Sequence, residues 1–452
     1  MRRFLASWIV VWLGAVALVT NSLPAYAQAP PAAEAGVDGA IAPVALIGVT
    51  LIDIETGARR TAVTVLIQGD RIAAIGPTVA VPRAATRVSG KGKFLIPGLW
   101  DMHTHHQGTG AESLDLFVAK GVVGTRDMGG AADFILPLRN RVRAGTVFGP
   151  EIVASGPMLD NAPPEFPYRL HVTNAEEARV AVRELKRRGV DFIKVHDHTP
   201  REVFFTAIAE ASQVGLTVSG HVPLSVKVEE AADAGIRSIE HLANYEVLGE
   251  CSTGETYSLS SCLRLFDKLA AKGVWQTPTL AFEQTLPDVF EGKPLPHAEY
   301  ASDSLLELTR RNIEVSHVPK VSLDKLRYAA RVTLLQGIHD LYSRGNRFLA
   351  GCDGLVPGFC LHDELEWFTK AGLSPLEALQ TATINPARFL GREKLQGTIE
   401  VGKRADLLLL DADPLTDIRN VQRINAVILR GKPLTRPTIE RIIAKHRRGD
   451  AQ

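Results

Sequence analysis

A chain of 452 residues is too long for one small domain, and its 45% apolar and 22% charged content is ample for a large packed core. A formal charge of +1, with no basic stripe, gives no electrostatic basis for binding nucleic acid or an anionic membrane.

The N-terminus carries Arg2-Arg3, an apolar run from Phe4 to Val19, and then Ala25-Tyr26-Ala27. Charge, apolar stretch and small-x-small site in that order predict a secretory signal over 1–27, cleaved after Ala27, and so a secreted or periplasmic protein. The run is short for a bilayer span, which argues against an uncleaved anchor and against membrane association after cleavage. Residues 28–41, rich in Ala and Pro, read as a flexible lead-in.

Residues 42–93 alternate apolar and polar positions between Gly57, Gly69-Asp70 and Gly76-Pro77, a strand and turn pattern. The stretch 396–437 does the same around Ala405–Asp411 and Ala426–Gly431. Neither stretch has enough strands to bury two faces, so the two ends are expected to pair into one small, discontinuous β-sandwich. Residues 438–452 are left as a C-terminal tail.

Between them, over 94–395, strand candidates alternate with amphipathic helices. The strands are Leu99–His103, Val122–Met128, Glu151–Gly156, Phe192–Val195, Thr217–His221, Ser238–His241, Trp275–Leu280 and Phe348–Asp353; the helices include Ala175–Arg188, Pro200–Gln213, Ser225–Ala234 and Pro375–Thr381. Eight strands in that alternation predict an α/β fold with a (β/α)8 TIM-type barrel, whose active site lies at the carboxyl ends of the strands. Those ends are polar where a buried strand would favour Val or Leu. The first closes on His103 and His105, which share a face because residues two apart in a strand point the same way. The fourth closes on Lys194, with His196 and His198 after it; the fifth, sixth and eighth close on His221, His241 and Asp353. A single histidine at a strand end is more often a satisfied polar group than a ligand. Six metal-competent residues on five strand ends are not explained that way.

Four cysteines remain: Cys251, Cys262, Cys352 and Cys360. Export permits disulfides, and of the three possible pairings local closure favours Cys251 with Cys262 and Cys352 with Cys360, each worth about 2–3 kcal/mol if unstrained. Free buried thiols are the alternative. None of the spacings is that of a structural zinc site.

Pro97-Gly-x-x-Asp-x-His-x-His105, Ile193-Lys-Val195, Ser219-Gly-His221, Ser238-Ile-Glu-His241, Ala350-Gly-Cys-Asp353 and Gly397–Leu407 together resemble the amidohydrolase superfamily. The likeness is to its imidazolonepropionase-like branch, with Xaa-Pro dipeptidases, carboxypeptidases for basic C-terminal residues and ochratoxin-hydrolysing amidases. The resemblance implies two divalent metals, zinc foremost, bridged by a CO2-derived carbamate on Lys194. His103, His105 and Asp353 would hold the first metal, and His221 and His241 the second. It further implies a bridging hydroxide that attacks an amide of a dipeptide or N-acyl amino acid while Asp353 shuttles the proton. Cyclic-amide or lactone hydrolysis is the rival within enzymes, and a catalytically silent binding barrel the rival outside them.

His196, His198 and His362 are candidates for substrate binding, His106 less so, and Arg126-Asp127 for substrate binding or a structural ion pair. Where the family pattern has a small hydroxyl residue before the catalytic aspartate, this chain has Cys352. The long segment from Phe282 to Arg347 and the loop Asn161–Tyr168 read as a lid over the barrel mouth or as the surface of a homo-oligomer.

Overall fold

The computed structural model describes residues 42–162, 168–242, 247–251, 257–316 and 320–449. The expected signal and lead-in over 1–41 lie outside them, as does most of the Asn161–Tyr168 loop. No described helix is long and apolar enough to cross a membrane.

The two ends of the chain meet in one eight-stranded sheet. Its order runs Lys432–Thr435, Ile424–Leu429, Leu407–Leu410, Phe94–Pro97, Val44–Ile52, Arg59–Gln68, Arg71–Gly76, with Thr86–Ser89 paired to Val44–Ile52. Alternation divides its side chains between two cores. Leu407 and Leu409 join Val44, Leu46, Val65 and Leu95 in a small core of the sheet's own, whereas Leu408, Leu410 and Ile96 face the main core. The first boundary is therefore corrected. Phe94–Pro97, assigned to the barrel, is the strand that bridges the two chain ends, because it pairs with Leu407–Leu410 on one side and Val44–Ile52 on the other. The C-terminal tail begins with the helix Arg436–His446, pinned where Lys445 and His446 pair with Asp115.

The middle of the chain forms parallel sheets with helices between the strands. Leu99–Thr104, Val122–Asp127 and Glu151–Ala154 make one; Ile193–Val195, Val218–Gly220, Ser238–Glu240, Trp275–Thr277 and Arg347–Phe348 make the run of the other. Strands Met158–Asp160 and Arg169–His171, unforeseen in the sequence, add to that second sheet beside Ile193–Val195. Backbone hydrogen bonds join the two sheets at both seams. Asp191 N–H donates to Ala154 O at 2.9 Å, and on the other side Met102 N–H donates to Ala350 O at 2.8 Å and Asp353 N–H to His103 O at 2.8 Å. The second seam demands a glycine: a Cβ on Gly351 would stand 2.7 Å from His103 Cβ.

Helices Ala175–Arg188 and Pro375–Thr381 match the expected spans. Both local cysteine pairings are present as disulfides, Cys251–Cys262 and Cys352–Cys360. The segment after Phe282 is helical over Leu280–Phe290, Asp303–Ser316 and most of 320–343. It comes down on the short helix His106–Thr109, where Ser302 Oγ donates to Thr109 O at 2.8 Å.

Candidate metal centre

Every strand end singled out in the sequence is buried. His103, Lys194 and Asp353 are at most 1% exposed, and His105, His221 and His241 at most 8%. Burying so much titratable surface is costly unless the groups answer one another or a ligand. His103 Nε2 and His105 Nε2 lie 3.4 Å and 3.2 Å from Asp353 Oδ1, and His241 Nε2 lies 3.4 Å from Asp353 Oδ2. These three nitrogens have no hydrogen-bond partner, nor does Asp353 Oδ1. Ligand atoms of His103, His241 and Asp353 all fall within 4.8 Å of one another, and those of His196, Asp197 and His221 form a second such group. Ring contacts run from His103 to His241 and from His241 to His221, each 4.8 Å between centroids, so the two groups adjoin.

The far side of each imidazole is fixed. His103 Nδ1 meets Glu240 Oε2 at 3.0 Å, His105 Nδ1 the Gly129 carbonyl at 3.1 Å, His221 Nδ1 Asp197 Oδ1 at 2.6 Å, and His241 Nδ1 Thr279 Oγ1 at 2.7 Å. An acceptor at Nδ1 holds the proton there and turns a bare Nε2 into the site, the arrangement that metal-ligating histidines use. Glu240 is itself held by Arg126, whose Nη2 donates to both carboxylate oxygens at 2.9 Å. Arg126 is thus the structural ion pair of the two alternatives, and it also donates to Met102 O and Ser238 Oγ across the interior.

Lys194 reaches the same interior from Ile193–Val195, beside Ser219 of the neighbouring strand. Its charge acts on His103, His196, His241 and Glu240. Its stem passes Gly220, where φ is +142° and a Cβ would sit 3.0 Å from Lys194 Cδ and 2.2 Å from Val195 O; only glycine fits there.

Burial drives His103 well below the ordinary histidine range and His241 to about 3, against the pull of the Asp353 carboxylate on both rings. Burial also opposes the Asp353 charge, but His103, His241 and His105 outweigh it and hold the carboxyl below its usual range. His241, Thr279 and Asp353 have φ of 54°, 48° and 50°. Left-handed backbone at non-glycine residues costs about 1–3 kcal/mol each and gathers at functional sites.

The remaining candidates separate. His196 joins the site: it stacks on His221 at 4.1 Å, and neither of its ring nitrogens is hydrogen-bonded. His198 is partly exposed, and its charge acts on Asp160, the ion-pair partner of Arg169. His362 is drawn elsewhere, with Nε2 2.9 Å from the Lys120 carbonyl. His106 turns to Thr125 Oγ1 at 2.9 Å. Sequence reasoning missed Glu240, Asp197 and Thr279 as the groups that lock the imidazoles, and Glu283, a buried carboxyl pushed up to about 8 by burial and by Asp353. A charged residue in a fully buried strand, as at Glu240 in Ser238-Ile-Glu240, was the available signal.

The amidohydrolase family model matches residues 94–434, most of the chain. The chain belongs to the amidohydrolase family. This amidohydrolase is 24% identical over 430 residues to an ochratoxinase of Aspergillus niger, covering 80% of each chain. It is 25% identical over 399 residues to an imidazolonepropionase of Rubrobacter xylanophilus, covering 77% of this chain and 84% of that one. Among solved structures, a Xaa-Pro dipeptidase with bound methionine superposes with a TM-score of 0.69 at 19% identity, over 87% of this amidohydrolase and 100% of that chain.

Proposed function

We propose that this amidohydrolase is a secreted or periplasmic, binuclear metal enzyme that hydrolyses the amide C–N bond of a dipeptide or N-acyl amino acid. The observation that carries the reading is the set of Nε2 atoms of His103, His105 and His241, none of them hydrogen-bonded and all turned on the Asp353 carboxylate, the first two on Oδ1 and the third on Oδ2, while each Nδ1 is locked. Such a donor set fits a divalent cation, and mixed imidazole and carboxylate ligands suit zinc. His103, His105 and Asp353 would hold one ion and His221 and His241 the other, with Lys194 between them as a carbamate; an ammonium cannot ligate, whereas its CO2 adduct offers two anionic oxygens. The parallel strands close into one (β/α)8 barrel in this reading, supported by the hydrogen-bonded seams on both sides, and the terminal sheet folds on its small core as a sandwich.

Bound ions of this kind acidify a water and polarise a carbonyl. Asp353 receives the proton of the attacking water and returns it to the departing nitrogen, a shuttle open to a carboxylate kept ionised in the pocket. Glu240, Asp197 and Thr279 keep the imidazoles in one orientation through that exchange. His196, with neither ring nitrogen hydrogen-bonded and Nδ1 3.6 Å from Asp160 Oδ2 and Asp197 Oδ2, donates from Nε2 to a substrate carboxylate beside His221, with His198 nearer the rim. This favours an amino-acid-like leaving half.

The test is hydrolysis by the zinc-loaded mature protein of a library of dipeptides and N-acyl amino acids, with lactones alongside. Turnover of amides is expected. Turnover of lactones alone would overturn the amide reading, and none with two metals bound would leave a binding protein.

A further inference from the structure

The Asp353 carboxylate faces His103, His105 and His241, and its backbone is fixed separately. Its N–H donates to the His103 carbonyl at 2.8 Å; the preceding Cys352 N–H donates to that carbonyl at 3.2 Å and to Asp101 Oδ1 at 3.1 Å. At φ 50° Asp353 occupies left-handed backbone, which aspartate tolerates better than most residues but at some cost, and Gly354 follows at φ 76°, so the chain turns sharply away from the strand end. From there to the start of helix Phe359–Lys370 the chain has no helix or strand. A connection of that sort samples many conformations when its ends are free.

Its ends are not free. Cys352, the residue before Asp353, is bonded to Cys360 in the first turn of that helix. The helix is anchored on two sides: Glu364 Oε2 accepts from Ala281 N–H at 2.7 Å, and His362 Nε2 lies 2.9 Å from the Lys120 carbonyl. Both sulfurs lie beside the Asp101 carboxyl, whose pKa burial pushes up to about 8, and both cysteines are 2% exposed. The bond therefore joins the residue before Asp353 to a fixed part of the fold.

We propose that the Cys352–Cys360 disulfide is a positioning device for Asp353, holding its left-handed backbone and so the carboxylate in register with His103, His105 and His241. The inference rests on the proton-transfer role given to Asp353 above. It also answers the departure at Cys352: where a hydroxyl residue would leave the loop to its hydrogen bonds, this chain fixes it covalently.

The second disulfide is the control. Cys251–Cys262 ties helix Val247–Cys251 to helix Leu259–Lys272, and neither cysteine neighbours a residue of the metal-type group in sequence. The experiment compares the wild type, C352A/C360A and C251A/C262A, each zinc-loaded, on an amide that the library screen finds to be turned over. Hydrogen exchange of the peptide 349–358 is followed in the metal-free proteins. The expected result for C352A/C360A is a fall in kcat of about tenfold or more with KM within about twofold, together with faster exchange in 349–358. C251A/C262A should lose thermal stability and keep its kcat. Should C352A/C360A not fold, phosphine reduction of the C251A/C262A protein opens only Cys352–Cys360 and gives the same readouts. Full kcat with unchanged exchange after loss of Cys352–Cys360, or an equal fall in kcat in both variants, overturns the proposal. If Asp353→Asn itself turns over normally, the role of Asp353 fails; if it is inactive while C352A/C360A is normal, the positioning inference alone fails.

Discussion

Two groups of histidines stand side by side in this interior, and they are built differently. Around Asp353, the rings of His103, His105 and His241 each have one nitrogen tied to a fixed oxygen and the other bare. In the neighbouring group His221 is tied to Asp197 in the same way, but His196, stacked against it, has neither nitrogen hydrogen-bonded. A ring hydrogen-bonded at one nitrogen is oriented before anything binds, whereas His196, stacked and with Nδ1 3.6 Å from Asp160 Oδ2 and from Asp197 Oδ2, is held less tightly and can turn to meet what arrives. In the proposed reading this contrast, and not depth of burial, distinguishes ligands from substrate contacts, since all of these rings are buried.

The strongest challenge to the contrast falls on Asp353, on which three bare nitrogens converge. Asp353→Asn keeps the shape and removes the proton acceptor, and kcat is expected to fall by about 10²–10⁴ with metal retained at least in part. Normal turnover in that variant would dissolve the distinction. A smaller effect is expected at Glu240, which touches only the far side of His103. Glu240→Gln should weaken metal binding by about 10–100-fold, read by chelator competition, with activity restored at high zinc. It also leaves Arg126 buried without its counter-charge, so stability is measured alongside. His196→Ala tests the other group: KM for carboxylate-bearing substrates should rise by about tenfold while zinc affinity stays unchanged. Loss of zinc in that variant would move His196 into the first class.

Much of this was open to inspection in the chain itself because strand ends are local. His103, His105, Lys194, His221, His241 and Asp353 each interrupt or close an apolar run, and the periodicity of that run shows which face they occupy. Helix Ala175–Arg188 was legible for a similar reason, framed by Asn174, whose side chain caps Glu177 N–H, and Gly189 at φ 86°. What stayed hidden depends on distant partners. The Arg126–Glu240 pair joins residues 114 positions apart, and nothing near either one names the other. His362 sits in a helix with acidic neighbours that look like a site, yet the packing of that helix on Lys120 decides where its ring goes. Strand Phe94–Pro97 was misassigned because an apolar run leading to the His-x-His stretch reads the same whether it belongs to the barrel or to the terminal sheet.

The smallest effect lies outside both histidine groups and governs how their pH dependence is measured. Glu151, at the start of strand Glu151–Ala154, pairs with Arg392 at 2.7 Å and with Arg404, joining the parallel sheet to the C-terminal segment. Burial opposes its charge, but Arg404 and Arg392 prevail and hold the carboxyl below the 4.5 of a free glutamate. A carboxylate lowered on folding stabilises the protein above the unfolded value, and that contribution disappears as pH falls through the folded value. Glu151→Gln should therefore cost about 1–2 kcal/mol near neutral pH, read by denaturant unfolding, with the gap to wild type closing below pH 4.5. A gap that persisted undiminished in acid would show that the arginines act by packing rather than by charge. If the gap closes as expected, activity lost in acid by the wild type but retained in proportion to folded protein reports unfolding, and only the remainder belongs to the histidines around Asp353.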